Sequence, residues 1–313
     1  MRVLVTGGAG FLGSHLCDRL VADGHRVVCV DNLSTGRRRN VAHLEPREGF
    51  TFVEADVAEP LPVDGPFEAV YHLASPVSTT DHFARPIATL RTGAEGTRRC
   101  LDLAAACGAT FLLASTSEVY GDPEVHPQVE TYPGRVDPVG PRSAYNEAKR
   151  FAEALTMAYG RERGVEVRIA RIFNTYGPRM RPDDGRVIVN FIIQTLAGQP
   201  VTVHGDGKQT RSFCYVSDMV EALVRLAGAD GVEGPVNLGN PEEVTMADLA
   251  REVVRLAGSS SPIAHVPPRE DDPRRRRPDV ERARRLLGWE ARVSRGEGLA
   301  ATIDYYRREE PPR

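Results

Sequence analysis

The sequence has few cysteines, almost no net charge and no long hydrophobic run. Its five cysteines (Cys17, Cys29, Cys100, Cys107 and Cys214) are odd in number and form no C-x-x-C pair. That argues against a disulfide framework or a zinc site, so no metal is expected, and a reducing compartment fits best. Lysine plus arginine (40) nearly balances aspartate plus glutamate (43), leaving a net charge of −3, so a bulk nucleic-acid binder is not suggested. The longest apolar stretch, residues 103–114, is broken by Gly108 and Thr110 and falls short of the roughly 18 residues that suggest a membrane span. Arg2 followed by Val3-Leu4-Val5 imitates the start of a signal peptide, but glycines end the pattern at once, and nothing marks export.

What is present is 313 residues, 41% hydrophobic and 27% charged, about twice the ~150 residues of a typical domain. Two globular lobes follow, each large enough for its own core. Short β-branched runs at residues 3–6, 26–30, 51–54, 69–73 and 110–114 read as buried strands, with helices expected near 12–22 and 87–107. This order predicts an α/β fold, a doubly wound parallel sheet covered on both faces. A Pro- and Gly-rich connection (121–141), a helix (144–163) and a strand (166–172) come next. A connection that long inside a compact domain is usually functional. The character then changes, with shorter elements such as a helix near 189–197. The expected division is a dinucleotide-binding Rossmann domain over 1–173 and a smaller α/β substrate-binding domain, mainly 174–313.

Thr6-Gly7-Gly8-Ala9-Gly10-Phe11-Leu12-Gly13 lies between the first strand and the first helix. Glycines there permit a tight turn and close approach of backbone to a pyrophosphate at the helix N-terminus. Asp31 ends the second strand, where a carboxylate accepts hydrogen bonds from the adenosine ribose and repels a 2′-phosphate. NAD is therefore favoured, while Arg37, Arg38 and Arg39 keep NADP open. Asp56 and Leu73-Ala74-Ser75 sit at the ends of the third and fourth strands, the edge at which such sheets bind ligands, although Asp56 reads equally as a turn residue.

Tyr145 and Lys149 are one helical turn apart and share a face. A nearby ammonium stabilises a phenolate that is otherwise scarce at neutral pH, so the pair can take a proton from a substrate hydroxyl as hydride leaves. Upstream, Ser115-Thr116-Ser117-Glu118 closes the fifth strand. Thr116 or Ser117 can hold the substrate oxygen, and Glu118 adds an acid/base that a simple dehydrogenase does not need. Arg186, Arg211 and Arg276 are candidates for a diphosphate, since guanidinium forks bind phosphate oxygens in pairs. The run at 274–277, flanked by Asp271, Asp272 and Asp279, reads equally as a solvated surface.

With these residues placed, the chain resembles the extended short-chain dehydrogenase/reductase superfamily and, within it, the UDP-glucuronate decarboxylases. The stretches at 113–128 and 171–180 carry the likeness most specifically. Asp184-Gly185-Arg186-Val187, Gln209-Thr210-Arg211, Tyr215-Val216-Ser217-Asp218, residues 237–243 and Leu287-Gly288-Trp289-Glu290 extend it. The resemblance implies a cycle that leaves NAD unchanged. The C4 hydroxyl of UDP-glucuronate is oxidised with Tyr145 as base, Lys149 lowering its pKa and Thr116 holding the oxygen. Carbon dioxide leaves from the 4-keto sugar, Glu118 and Ser117 help return a proton to C5, and re-reduction of C4 gives UDP-xylose. It also implies Asn32, Ser34, Thr35, Gly36, Val57, Thr92, Ser115 and Thr175 as further NAD contacts. For the substrate it implies Asn174, Arg179, Val187, Asn190, His204, Gln209 and Tyr215 beside Glu118, Tyr145 and the three arginines.

The related 4,6-dehydratases carry Thr-Asp-Glu where Thr116-Ser117-Glu118 stands, and the 4-epimerases usually lack the Glu. A UDP-glucuronate 4-epimerase is the alternative reading, and a non-catalytic NAD-binding regulator a third. The chain departs from the family at Gly93 (usually Asn), which predicts looser packing under the nicotinamide, and in the loop over residues 76–83. It departs also at Asn146, His204 and Cys214. The resemblance further implies a homodimer through the helices at 87–107 and 144–163, a chain returning to the first lobe around 215–240, and a cytoplasmic enzyme with no nucleic-acid or membrane partner.

Overall fold

The structure, a computed structural model, describes residues 1–268 and 275–309. Strand β1 (Arg2–Thr6) points Val3 and Val5 to one side and Leu4 to the other, and all three are fully buried. β2 (Arg26–Asp31) repeats the pattern, Val27 and Cys29 against Val28 and Val30. Side chains alternate along a strand, so a run apolar at every position requires cover on both faces. Helix α1 (Phe11–Ala22) supplies Leu16, Cys17 and Leu20 to the first face.

β3 (Phe50–Glu54), β4 (Ala69–His72), α2 (Thr79–Ala84), α3 (Pro86–Arg91), α4 (Thr97–Cys107), β5 (Thr110–Thr116), α5 (Ser143–Arg163) and β6 (Val167–Ile172) follow. α4 and α5 cover the second face through Cys100, Leu101, Ala104 and Ala152. The chain then builds a second unit from β7 (Thr175–Tyr176), α6 (Val187–Leu196), β8 (Val201–His204), β9 (Thr210–Ser212) and β10 (Cys214–Tyr215). It comes back with α7 (Val216–Ala227) and β11 (Pro235–Leu238), and ends with β12 (Glu243–Thr245), α8 (Met246–Leu256), β13 (Ile263–Val266), β14 (Arg275–Arg276), α9 (Glu281–Leu287) and α10 (Arg295–Glu309).

The large sheet runs β3-β2-β1-β4-β5-β6-β11, and every pair in it is parallel. Its order reverses between β1 and β4, the crevice where doubly wound sheets take ligands. α7 packs Met219 and Leu223 on the α1 face. A separate core joins α6, α8 and α10 through Ile188, Val189, Ile192, Leu249, Val253, Leu299 and Ile303. This is the smaller C-terminal domain.

One expected helix is built differently. The segment read as a single helix over 87–107 widens into a π-turn at Thr92–Gly96 between α3 and α4. Close packing accompanies it. A Cβ on Gly93 would lie 2.6 Å from the Ala148 Cβ of α5, and one on Gly96 would lie 2.7 Å from Val57. Packing at Gly93 is therefore tight rather than loose, because the missing side chain lets the two helices approach. The connection at 121–141 is tied down as well: Asn237 Nδ2 donates to the Gln128 carbonyl at 3.0 Å and Arg150 Nη1 to that of Pro133 at 2.9 Å. Arg274, Asp271 and Asp272 of the charged run lie outside the described residues.

Candidate active site

A cavity of about 1030 Å³ opens at the C-terminal ends of β1, β2, β3, β4 and β5 and extends under the smaller domain. The glycine turn forms its floor. Gly7 has φ +69°, and a Cβ there would lie 2.7 Å from the Ala74 nitrogen, while a Cβ on Gly13 would collide with the Gly7 carbonyl oxygen. Only glycine permits that approach of turn to helix. α1 begins at Gly10 with no side-chain cap and no acid in its first turn, so its terminal amides and dipole are left for an anion. Asp31 accepts hydrogen bonds from Ala9 N (3.0 Å) and Leu33 N (2.8 Å). Burial raises its pKa and those bonds oppose the rise. These residues fit a dinucleotide: a phosphate-sized turn at a helix N-terminus, with a fixed carboxylate at the end of the next strand.

Gly10, Phe11, Leu12, Asn32, Ser34, Thr35, Asp56, Val57, Leu73, Ala74, Ser75, Thr92, Ser115 and Thr175 also line the cavity. Asp56 accepts from both Asn32 Nδ2 (2.9 Å) and Ala58 N (2.8 Å). Gly36 does not line it. It backs Asp31, where a Cβ would stand 2.7 Å from the carboxylate oxygens.

Tyr145 and Lys149 project from α5 into the same cavity, and both are buried. Burial pushes the Tyr145 phenol up to about 12, opposed by its hydrogen bond with Thr116 and by the charges of Arg186 and Arg276. Burial also brings the Lys149 ammonium down to about 8, with Glu153 pulling the other way. Lys149 Nζ donates to the Ala114 carbonyl at 2.8 Å. Thr116, the last residue of β5, caps a turn at Ser117–Tyr120 by accepting from Glu118 N at 3.1 Å, and this cap fixes Glu118 beside Ser117. The Glu118 carboxylate binds the Arg276 guanidinium through a short ion pair and Arg142 at 3.3 Å. Burial alone would raise its pKa, but Arg276, Arg142 and Arg211 together hold it below the usual carboxylate range. At neutral pH Glu118 is ionised, able to accept a proton or orient water.

β14 lies parallel to β9 with Arg276 opposite Arg211, so sheet pairing brings these two expected arginines side by side. Arg186 binds Asp184 (2.8 Å) and Arg179 binds Asp18 (2.7 Å). Asn174, Val187, Asn190, His204 and Gln209 line the same region, with Gln209 Nε2 donating to the His204 carbonyl at 2.9 Å. Tyr215 does not line the cavity. Its ring packs edge-on to Tyr176 at 5.6 Å and against Gly298, between the two cores.

Four polar residues absent from the sequence reading belong to the site or its support. Arg142 holds Glu118, His82 stacks on Tyr145, and Arg181 binds Asp81 at 2.8 and 2.9 Å. Glu153, one turn beyond Lys149, accepts from Ser115 Oγ (2.5 Å) and from Arg171 (2.8 and 3.0 Å). Of these, Glu153 carried a signal in its position one turn after Lys149, and His82 lies in the 76–83 loop where the chain departs from the family.

The model of the NAD dependent epimerase/dehydratase family matches residues 3–239. The chain belongs to that family. Within it, the chain is 54% identical over 308 residues to UDP-glucuronic acid decarboxylase 1 of Xenopus tropicalis, covering 98% of this chain and 72% of the relative. It is 53% identical over 307 residues to UDP-glucuronic acid decarboxylase 2 of Arabidopsis thaliana (98% and 68% covered). Among solved structures, the UDP-glucose 4-epimerase of Thermotoga maritima superposes with a TM-score of 0.90 at 31% identity, covering 98% and 99% of the two chains. The UDP-glucuronic acid 4-epimerase of Bacillus cereus, solved with UDP-glucuronic acid and NAD, superposes with a TM-score of 0.88 at 28% identity over 98% and 99%. Such membership agrees with the superfamily resemblance carried by the motifs, and NAD is the family's cofactor.

Proposed function

We propose that this protein converts UDP-glucuronate to UDP-xylose and carbon dioxide with NAD bound throughout. The observation that carries the reading is one cavity holding Tyr145, Lys149, Thr116 and an ionised Glu118 together with the glycine turn, in a chain 54% identical to a UDP-glucuronic acid decarboxylase. Residues 1–173, with the returning segment near 215–240, hold the dinucleotide, and residues 174–313 mainly hold the UDP-sugar.

Tyr145 takes the proton of the C4 hydroxyl, Thr116 holds that oxygen, and the Lys149 ammonium stabilises the developing phenolate. Bound NAD supplies the hydride acceptor and later the donor at C4. The resulting ketone is β to the C5 carboxylate, so the C5–carboxylate electron pair passes into an enolate as carbon dioxide leaves. Glu118 and Ser117 hold a water that donates a proton to C5, the hydroxide left being neutralised by a proton from solvent, and Tyr145 gives its proton back to O4. Arg186, Arg211 and Arg276 are the proposed contacts of the diphosphate. Ser117 in place of the dehydratases' Asp removes the acid that would expel a 6-hydroxyl.

Incubation with UDP-glucuronate tests the reading. Carbon dioxide and UDP-xylose are expected, UDP-galacturonate without gas would make the protein an epimerase, and no turnover would make it a dinucleotide-binding regulator. Tyr145→Phe should lose on the order of 10²–10⁴ in rate, and a variant with full activity would remove Tyr145 from the mechanism.

A homodimer through the helices at 87–107 (α3 and α4) and 144–163 (α5) is part of the proposal. Ile87 and Leu90 of α3 and Phe151 of α5 expose apolar surface there, Ile87 at 73%, next to exposed Phe83 of α2, and helices left so uncovered favour pairing. Sedimentation showing only monomer at micromolar concentration would overturn it. Five free cysteines, four of them buried, support a reducing, cytoplasmic setting. Among the described residues, no helix is long and apolar enough to cross a membrane.

A further inference from the structure

His82 is 3% exposed, sits at the cavity wall and is hydrogen-bonded to the Val77 backbone. Here the ring lies flat on Tyr145, centroids 5.2 Å apart and planes 9° apart, with Phe83 edge-on at 4.8 Å behind it. Burial and the Arg142 charge hold the imidazole neutral, while Glu118, Asp81 and the Val77 carbonyl pull the other way.

The helix that carries His82, α2, has only six residues and too few turns to be stable alone. It is anchored from the other lobe. Arg181, in the loop after β7, clasps both oxygens of Asp81 at 2.8 and 2.9 Å. Ser78 caps α2 by accepting from Asp81 N at 3.1 Å. Gly185 lies so close that a Cβ on it would meet Thr80 Oγ1 at 2.9 Å. The same loop runs on into Arg186 and Val187 at the cavity wall.

We propose that Arg181, Asp81 and His82 form a strap by which the smaller domain fixes the ring of Tyr145. Thr116 restrains the phenol oxygen from β5, and the stacked imidazole restrains the ring face from α2. Two restraints define where the oxygen points, and neither alone does. His82 and Arg181 are thus positioning residues, acting through Tyr145. The inference rests on Tyr145 being the base.

The test uses the NAD-bound enzyme and carbon dioxide release from UDP-glucuronate, with His82→Ala, His82→Phe, Arg181→Met, the His82→Ala/Arg181→Met pair and Tyr145→Phe. His82→Ala should lower kcat about tenfold, since small misplacement of a reacting group is costly, with KM and NAD content near wild type. His82→Phe keeps a flat ring and should restore kcat to within about threefold of wild type, a rescue that separates stacking from hydrogen bonding. Arg181→Met should lower kcat in the same way, and the pair should lose no more than about twofold beyond His82→Ala alone, because residues acting in series are not additive. The strap is overturned if His82→Ala keeps kcat, if KM rises while kcat holds, if His82→Phe fails to rescue, or if the two losses multiply. Tyr145→Phe distinguishes the failures: if it is inactive while His82→Ala is fully active, only the strap is wrong. If Tyr145→Phe turns over normally, the assignment of the base is wrong and the strap falls with it.

Discussion

Lys149→Met should make the protein more stable and inactive. The Lys149 ammonium is buried and its pKa is brought from 10.5 down to about 8. The native state therefore binds this proton less tightly than the unfolded chain. At ~1.4 kcal/mol per pH unit, that difference costs about 3 kcal/mol of folding stability at any pH below 8. Between pH 8 and 10.5 the unfolded chain holds more protons, so stability rises with pH and the cost fades. Methionine fills a similar volume with no charge to desolvate, but forfeits the charge-assisted bond to the Ala114 carbonyl, worth about 2 kcal/mol. The net expectation at pH 7 is a gain of about 1 kcal/mol, with the gap to wild type closing as pH approaches 10.5. Urea unfolding at several pH values measures it, on protein free of dinucleotide because bound ligand adds its own stabilisation. A variant less stable than wild type at pH 7, or a gap that widens as pH rises, would refute the reasoning. A gain in stability with loss of carbon dioxide release would show that burial of this charge is kept for chemistry.

Gly93→Ala places a methyl 2.6 Å from the Ala148 Cβ, between Tyr145 and Lys149 in α5, and should destabilise by about 1–3 kcal/mol as overpacking does; an unchanged melting temperature would mean that the helices can separate freely. Arg276→Met removes the strongest charge holding Glu118 ionised, so the acid-side fall in kcat should move to higher pH, and an unmoved limb would exclude Glu118 from the rate. Glu153→Gln leaves the Arg171 guanidinium without its buried partner, a loss of about 3 kcal/mol visible in urea unfolding. It also removes the charge that raises the Lys149 pKa, so activity should fall off at lower pH on the alkaline side.

Local spacing carried much of the site. The glycine turn, Asp31 and the Tyr145–Lys149 pair each lie within one turn, one strand end or one helix, where a few residues of separation settle the geometry. The strands were legible for a similar reason, since Val3-Leu4-Val5 is apolar at every position and must be covered twice. Gly36 and Tyr215 were assigned by likeness to ligand contacts. Gly36 also backs the Asp31 carboxylate and Tyr215 packs in the seam between the cores, positions that a motif does not separate from ligand binding. Arg142 and Arg181 left no trace, and His82 only that of its unusual loop, because each acts on a partner reached across the cavity and none sits in a periodic pattern.

The sequence by itself determined the sheet's double cover, the dinucleotide turn at its edge and the helix that bears the tyrosine and lysine. These depend on contacts between near neighbours, whose geometry the backbone dictates. Only the tertiary structure decided the charge on Glu118, the π-turn at Gly93 and the face on which Tyr145 rests. Arg276 lies 158 residues from Glu118 and Arg181 lies 100 from Asp81. At such separations, which carboxylate meets which guanidinium depends on how the smaller domain folds over the sheet edge.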